Sequence, residues 1–150
     1  MTEPVTLLSD EFYGALNDKP FVLLHTIDTD SGSPTSSAIS WIYAVNRTTL
    51  RFAIDGRSRL SVNMTSKAEI SVTLFAPGTV QTIYGTARLV SEALEDVPFK
   101  LVCFDVDITV IRDAMFYGAR LSAQPDYEKT YDQRAADKLD GQVFAAMRKA

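Results

Sequence analysis

The feature that most constrains the fold is a period-two alternation of apolar and polar residues that recurs between Phe21 and Arg112. Successive side chains of an extended strand point to opposite faces, so this period indicates β-strands. Gly32 and Pro34 supply the turn between the first two strands. The pattern predicts six strands, over residues 21–29, 35–45, 50–54, 69–75, 81–90 and 101–111. Six strands with short connections favour a small closed barrel, which leaves no exposed sheet edge.

Helical signals are confined to three segments, at residues 10–16, 59–66 and 132–148. Ser9 and Ser58 stand where they can cap the first two helices. The third segment places its apolar residues on one stripe, namely Ala136, Leu139, Val143 and Met147. A chain of 150 residues, 46% of them apolar, can bury one core but is too short for two ordinary domains. We therefore expect a single mainly β domain over 1–150, with a C-terminal helix at 132–148 that packs against the barrel or a partner subunit.

Composition excludes several classes of protein. Fifteen basic against nineteen acidic residues give a net charge of −4, which does not suit binding to a nucleic-acid backbone. The single Cys103 cannot close an internal disulfide, and the single His25 cannot build a multi-histidine metal site, so no metal site is expected. The sequence contains no run of eighteen apolar residues, the length needed to span a membrane, and its acidic N-terminal segment does not resemble a secretory signal. These features predict a cytoplasmic protein.

The second predicted strand has two unlike faces. Sorted by parity, one face carries large residues, including Ile39, Trp41 and Tyr43. The other face is small apart from Ile42, with Ser36, Ala38, Ser40 and Ala44. A flat face with accessible backbone would let a planar ring approach and exchange hydrogen bonds with main-chain groups. The alternative is ordinary sheet packing against small residues.

The segment Asp55-Gly56-Arg57-Ser58-Arg59 directly precedes the second helix. A helix start offers unpaired N–H groups and a positive dipole end, and guanidinium groups bind phosphate oxygens well. These residues therefore form a candidate pocket for a phosphate monoester. The alternative is a solvated turn whose arginines face water.

Taken together, four stretches resemble the pyridoxamine 5′-phosphate oxidase-like FMN-binding split barrels. They are GSPTSSAISWIYA at 32–44, LRFAIDGRSRL at 50–60, AEISVTL at 68–74 and YGTARLV at 84–90. The resemblance covers residues 10–112 and keeps the order of the family's elements. It implies a six-stranded antiparallel split barrel that forms a homodimer, with FMN in the groove between the subunits and a small-molecule substrate that the sequence does not identify.

The resemblance also implies site residues by position. The FMN ring would be flanked, mainly through backbone groups, by Ser37, Ala38, Ser40, Trp41 and Ile42. Arg57, Ser58 and Arg59 match the family's Ser-Arg-Lys turn, which holds the FMN phosphate. The lysine of that turn is missing here, but arginine offers phosphate a bidentate contact. Gln81 lies one residue away from a glutamine found in the family and is a weaker match, because a shift of one residue reverses its face.

The resemblance stops at the C-terminal substrate motif. Pyridoxamine phosphate oxidases carry a Trp and an Arg-x-His there, whereas the only tryptophan of this chain is Trp41 and its only histidine is His25. Binding of pyridoxal phosphate is therefore not expected, and no catalytic acid or base is assigned. We expect an FMN-dependent oxidoreductase of unknown substrate. The first alternative is a non-catalytic flavin binder that acts as a store, a stress-response protein or a sensor. The second, which the acidic charge disfavours, is a cofactor-free barrel that binds an oligonucleotide or a protein.

Several residues outside these motifs carry expectations of their own. His25 is predicted to be hydrogen-bonded within the barrel, and Cys103 to be a small buried residue. Asp105 and Asp107 share a strand face, which is typical of the solvated side of a strand, although the same spacing suits a glycosidase pair or a divalent cation. The apolar segment 115–121 could close the flavin groove, contact a partner or cover the end of the barrel.

Overall fold

A computed structural model describes the chain from Glu3 to Ala150, and the first two residues of the predicted domain lie outside the described part. The described residues form seven strands and three helices. The strands are β1 (Val22–Ile27), β2 (Pro34–Ile39), β3 (Ile42–Asn46), β4 (Thr49–Asp55), β5 (Glu69–Ala76), β6 (Thr79–Ser91) and β7 (Leu101–Asp113). The helices are α1 (Asp10–Leu16), α2 (Arg59–Ser66) and α3 (Gln133–Lys149). Over residues 3–150, no helix combines the length and the apolar character that a bilayer crossing requires.

All seven strands join one antiparallel sheet in the order β2-β1-β5-β6-β7-β4-β3. The mainly β, antiparallel fold predicted from the sequence is confirmed. The two edge strands, β2 and β3, are consecutive in the chain, and only Ser40 and Trp41 separate them. The sheet therefore curls until its two edges meet at this two-residue bend.

The strand predicted at residues 35–45 is in fact two strands, which raises the count from six to seven. Ile39 of β2 packs against the barrel interior, whereas Trp41 and Tyr43 pack against the outer cluster under α3. The prediction that these three side chains share one face is wrong. The physical reason is the Ser40–Trp41 bend, where the chain leaves one edge of the sheet for the other and the alternation restarts.

Two apolar clusters hold the fold together. The first fills the barrel, where the rings of Phe52 and Phe104 stack with their centroids 5.8 Å apart. The second lies outside the sheet, where Val143 and Met147 of α3 cover Ala53 of β4. The predicted packing of the C-terminal helix against the barrel is thus confirmed, and its apolar stripe provides the buried face.

Side-chain caps fix where the helices begin. The Ser9 hydroxyl accepts a hydrogen bond from the Phe12 N–H at 3.1 Å, and the Ser58 hydroxyl accepts one from the Leu60 N–H at 3.2 Å. Both caps were predicted, and α1 and α2 have the predicted bounds. The Asp132 carboxylate caps α3 in the same way, accepting from the Ala135 N–H at 2.9 Å.

Candidate functional site

The indole of Trp41, in the bend between β2 and β3, is held in place by its contacts with α3 and Phe99. Its Nε1 donates a hydrogen bond to Oδ1 of Asp140 on α3 at 2.8 Å, and the same oxygen accepts from Nζ of Lys129 at 3.2 Å. The Phe99 ring lies beside the indole, with the centroids 6.3 Å apart. An indole fixed by a hydrogen bond and an aromatic neighbour is a rigid wall rather than a mobile surface group.

A groove of about 800 Å³ opens beside this bend, between α1, β3 and α3. Its volume lies within the range of small-molecule sites. Three of the predicted ring residues line it, namely Ser40, Trp41 and Ile42. Ile42 itself is fully buried, and its side chain packs in the barrel interior.

Aromatic and cationic side chains form the far wall of the groove. The rings of Tyr43 and Phe144 meet edge to face at 6.4 Å, and the Arg148 guanidinium lies 5.6 Å from the first and 5.8 Å from the second. Burial raises the pKa of Tyr43, so its hydroxyl stays protonated at neutral pH. This wall offers a ligand flat apolar surfaces and a hydroxyl that can donate a hydrogen bond.

The other two predicted ring residues lie on β2. Ala38 is exposed, whereas Ser37 pairs with Leu24 of β1 and is only half-buried. Among residues 3–150, β1 is the only strand hydrogen-bonded to β2, so part of the backbone N–H and C=O groups of β2 point to an open edge. This open edge runs into the Ser40–Trp41 bend, so backbone donors and acceptors adjoin the groove.

The predicted phosphate-binding turn lies between β4 and α2. Arg57 folds back on Asp55, with its Nε at 3.2 Å from Oδ1 and its Nη2 at 3.1 Å from Oδ2. Arg59 reaches the β1–β2 hairpin, where its Nη2 donates to Asp28 at 2.8 Å and to Asp30 at 3.0 Å. Each guanidinium therefore already has a carboxylate partner from the same chain.

The ion pair of Arg59 changes the acidity of its partner. The hydrogen bond from Arg59, followed by those from the N–H and hydroxyl of Ser31, lowers the pKa of Asp28 to about 2. The hydrogen bond from Arg57 likewise lowers the pKa of Asp55. Both carboxylates are therefore ionised at neutral pH, so they compete with any anion for the two guanidinium groups.

The register of β3 on β4 brings the ring residues close to this turn. The Ala53 N–H donates to the Trp41 carbonyl at 3.0 Å, and Arg57 follows Ala53 by four residues. At a rise of about 3.4 Å per residue, the two positions are at most roughly 14 Å apart along the strand. The bend and the turn thus lie at the same end of β4.

Gln81 lies elsewhere in the described chain. It is buried on β6, and its Nε2 donates to the Thr79 hydroxyl at 3.4 Å. Gln81 pairs with Asp113 at the C-terminal end of β7. Asp55, which begins the turn, pairs with Leu101 at the N-terminal end of the same strand. One chain therefore does not bring Gln81 to the bend and the turn.

Three residues of this region were not predicted from the sequence: Phe99, Lys100 and Asp140. The loop before β7 brings Lys100 across the turn, where its carbonyl accepts from the Gly56 N–H at 3.1 Å. Asp140 comes from α3, far from Trp41 in sequence. No local pattern marks these residues, because only the pairing of β7 with β4 and the docking of α3 bring them here.

The remaining expectations have mixed outcomes. His25 is hydrogen-bonded as predicted, with its Nε2 at 2.7 Å from the Thr73 hydroxyl, and Cys103 is buried, which raises the pKa of its thiol to about 11. The prediction of a solvated Asp105 is wrong: its side chain is 5% exposed and pairs with Arg51. Asp107 is half-exposed, as expected. The 115–121 segment ends in a bridge from Leu121 to Gly78.

Comparison with solved structures identifies the fold. A candidate pyridoxamine 5′-phosphate oxidase from Lactobacillus delbrueckii superposes with a TM-score of 0.62 at 14% identity, covering 72% of this chain and 95% of that one. HupZ of Group A Streptococcus gives a TM-score of 0.62 at 12% identity, over 77% and 99% of the two chains. An FMN-binding protein from Syntrophomonas wolfei gives 0.56 at 14% identity, over 71% and 86%. No protein-family model and no curated protein sequence matches the chain.

These similarities establish the architecture. The chain has the split-barrel fold of the pyridoxamine 5′-phosphate oxidase-like proteins, as the resemblance in its sequence implied. At 12–14% identity, the similarity to these three structures concerns the fold alone.

Proposed function

We propose that this protein binds FMN and acts as a flavin-dependent oxidoreductase on a small molecule. The observation that carries the proposal is the closeness of the Ser40–Trp41 bend to the Arg57–Arg59 turn at one end of β4. FMN has a planar ring at one end and a phosphate at the other, joined by a flexible chain. The spacing and the chemistry of the two places fit these two ends.

In this proposal the ring lies along the open edge of β2 and over the bend. Backbone groups of Ser37, Ala38 and Ser40 would hydrogen-bond the ring edge. Ile42 is fully buried, so it would flank the ring position from within the core. Trp41 forms a fixed wall through its hydrogen bond to Asp140. Because these positions are held by the sheet and by α3, the ring would enter a preorganised place.

Arg57, Ser58 and Arg59 would bind the phosphate. Both guanidinium groups are exposed, at 93% and 64%, and exposed ion pairs are worth only about 0–1 kcal/mol. A phosphate dianion can therefore replace a carboxylate as the partner of either arginine and accept bidentate hydrogen bonds. The Ser58 hydroxyl, whose oxygen accepts from the Leu60 N–H, can donate its own hydrogen to the phosphate.

When bound, FMN supplies the hydride or electron transfer, and the chain supplies binding and orientation. The wall of Trp41, Tyr43 and Phe144 excludes water from one side of the groove. The Tyr43 hydroxyl stays protonated and can donate to a substrate in the groove. The proposed reaction is therefore the flavin-dependent oxidation or reduction of a small molecule.

We also propose a homodimer, as the resemblance implies, and a cytoplasmic location, as the acidic N-terminal segment and the lack of a long apolar run predict. In one copy the edge of β2 is open, and Gln81 of β6 pairs with Asp113, at the end of β7 away from the turn. A second copy can cover the open edge and bring its own Gln81 to the ring. Sedimentation of the flavin-loaded protein should give the mass of a dimer, and a monomer that retains flavin would contradict the shared site.

A non-catalytic flavin binder is the second candidate. It is favoured by the pairing of the polar groups around the bend, since Asp140 is already engaged by Trp41 and Lys129. The two candidates differ in turnover. A catalytic protein loaded with FMN should oxidise a reduced nicotinamide cofactor faster than the same concentration of free FMN, whereas a store or sensor should not.

The first experiment is the visible absorbance spectrum of the purified protein after incubation with FMN and removal of free flavin. We expect the bands of an oxidised flavin at one equivalent per chain. The matched control is Arg88→Ala, because Arg88 is also an exposed arginine that pairs with carboxylates outside the turn, with Asp107 at 3.2 Å and with Asp105 at the longer distance of 3.5 Å. A colourless wild-type protein would contradict the proposed function.

A further inference from the structure

The side chain of Lys100 lies across the glycine of the Asp55–Arg59 turn. A Cβ added to Gly56 would meet Cγ of Lys100 at 2.9 Å, Cδ at 3.0 Å and Cε at 3.4 Å. The ammonium nitrogen is one bond beyond Cε. It therefore lies close to Gly56 of the turn, although Lys100 comes from the loop before β7.

Lys100 differs from the two arginines in having no carboxylate partner. Within residues 3–150, no Asp or Glu oxygen lies within 4.0 Å of its Nζ, whereas Arg57 pairs with Asp55 and Arg59 with Asp28 and Asp30. With Lys100, this corner holds three cations against three carboxylates. Without it, the corner would carry one net negative charge and would repel a phosphate dianion.

We propose that Lys100 binds the phosphate together with the turn and so contributes to the selection of a phosphorylated flavin over an unphosphorylated one. The inference rests on the proposed function. Its ammonium group would bind the phosphate without giving up an existing ion pair. Arg57 and Arg59 would contribute to the phosphate only by exchanging partners with their aspartates. Lys100 is a binding residue for the ligand's anionic end and has no role at the ring.

The test compares the affinities for FMN and for riboflavin, which differ only in the phosphate, by flavin fluorescence titration. Lys100→Met keeps a side chain of similar length over Gly56 and removes the charge. We expect this variant to bind FMN about tenfold more weakly than the wild type, since a charge-assisted contact at a partly solvated site is worth about a factor of ten. Its riboflavin affinity should be unchanged, and Lys100→Arg should retain most of the FMN affinity.

The matched control is Lys67→Met, because Lys67 is an exposed lysine at the opposite end of α2. It should leave both affinities unchanged. Lys100→Met with wild-type FMN affinity would overturn the inference, as would an equal loss of both affinities, which would mean that Lys100 only supports the turn. A wild-type protein that binds neither flavin would instead overturn the proposed function, and this inference with it.

Discussion

Arg51 of β4 binds both carboxylate oxygens of Asp105 on β7, with N–O distances of 2.7 and 3.0 Å. The same guanidinium donates to the backbone carbonyls of Met147 at 2.9 Å and Ala150 at 3.0 Å. It thus connects two neighbouring strands to the last turn of α3. The hydrogen bond to Asp105 raises the pKa of Arg51 above its ordinary value. Since α3 forms one wall of the groove, this ion pair helps to hold the candidate site together.

Removing the charge of Asp105 should destabilise the fold. The side chains of Arg51 and Asp105 are only 14% and 5% exposed, and an unpaired charge left at such a place costs about 3 kcal/mol. We therefore expect Asp105→Asn to lower the free energy of unfolding, measured with urea, by about that amount. Asp107→Asn, on the same strand face but 52% exposed, should cost less than about 1 kcal/mol. Equal losses for the two variants would contradict this account.

Two glycines should respond to alanine in opposite ways. A Cβ on Gly85 of β6 would lie 2.6 Å from a methyl carbon of Val106 and 2.7 Å from the Asp107 carbonyl oxygen. Gly85→Ala should therefore destabilise the fold by about 1–3 kcal/mol. A Cβ on Gly141 in α3 meets nothing within 4 Å, so Gly141→Ala should stabilise the fold by about 0.5–1 kcal/mol. Thermal unfolding of the two variants checks both signs.

The Arg59–Asp28 pair predicts a titration in acid. The folded pKa of Asp28, about 2, lies below its ordinary value of 3.8. The ionised carboxylate therefore stabilises the fold above about pH 4, and this contribution is lost as the pH falls towards 2. In Arg59→Gln the pKa of Asp28, followed by NMR of its carboxyl carbon, should rise towards 3.8. It should not change in Arg57→Gln, and a pKa that stays near 2 in Arg59→Gln would contradict the assignment.

How much of this molecule the sequence predicts depends on whether a feature is local. The caps at Ser9 and Ser58, the stripe on α3 and most strands follow from patterns within a few residues, and the structure confirms them. The alternation from Thr35 to Val45 led to the wrong prediction of one continuous strand, because it contains no sign of the bend at Ser40 and Trp41. The alternation of residue types continues through the two-residue bend, but the face of the sheet to which each side chain points changes there.

The candidate site was predictable only in part for the same reason. Its turn, Arg57 to Arg59, is contiguous and carries a recognisable chemistry. Apart from Asp55, which lies two residues before Arg57, the partners of that turn are distant in sequence: Asp28 and Asp30 come from the β1–β2 hairpin, and Lys100 from the loop before β7. Strand register brings them together, and register depends on the whole sheet. The same holds for Asp105, whose burial depends on α3 and on Arg51.

Trp41 provides an internal probe of the proposed ring position, since it is the only tryptophan of the chain. A flavin ring beside the indole would accept its excitation energy. We expect FMN to quench most of the tryptophan emission at one equivalent per chain, after correction for absorption by the flavin. The same titration of Trp41→Phe should show no tryptophan signal, and FMN binding by this variant is followed separately by flavin fluorescence. Full occupancy by FMN without quenching would place the ring elsewhere.

The central claim is that the turn between β4 and α2 binds the phosphate of a flavin whose ring rests at the β2–β3 bend. The dissociation constant for FMN of a variant with both Arg57→Ala and Arg59→Ala, compared with those of the wild type and Arg88→Ala, tests it most directly. We predict that the double variant binds FMN about ten- to a hundredfold more weakly, while Arg88→Ala binds it like the wild type. A double variant that binds FMN as tightly as the wild type would contradict the claim.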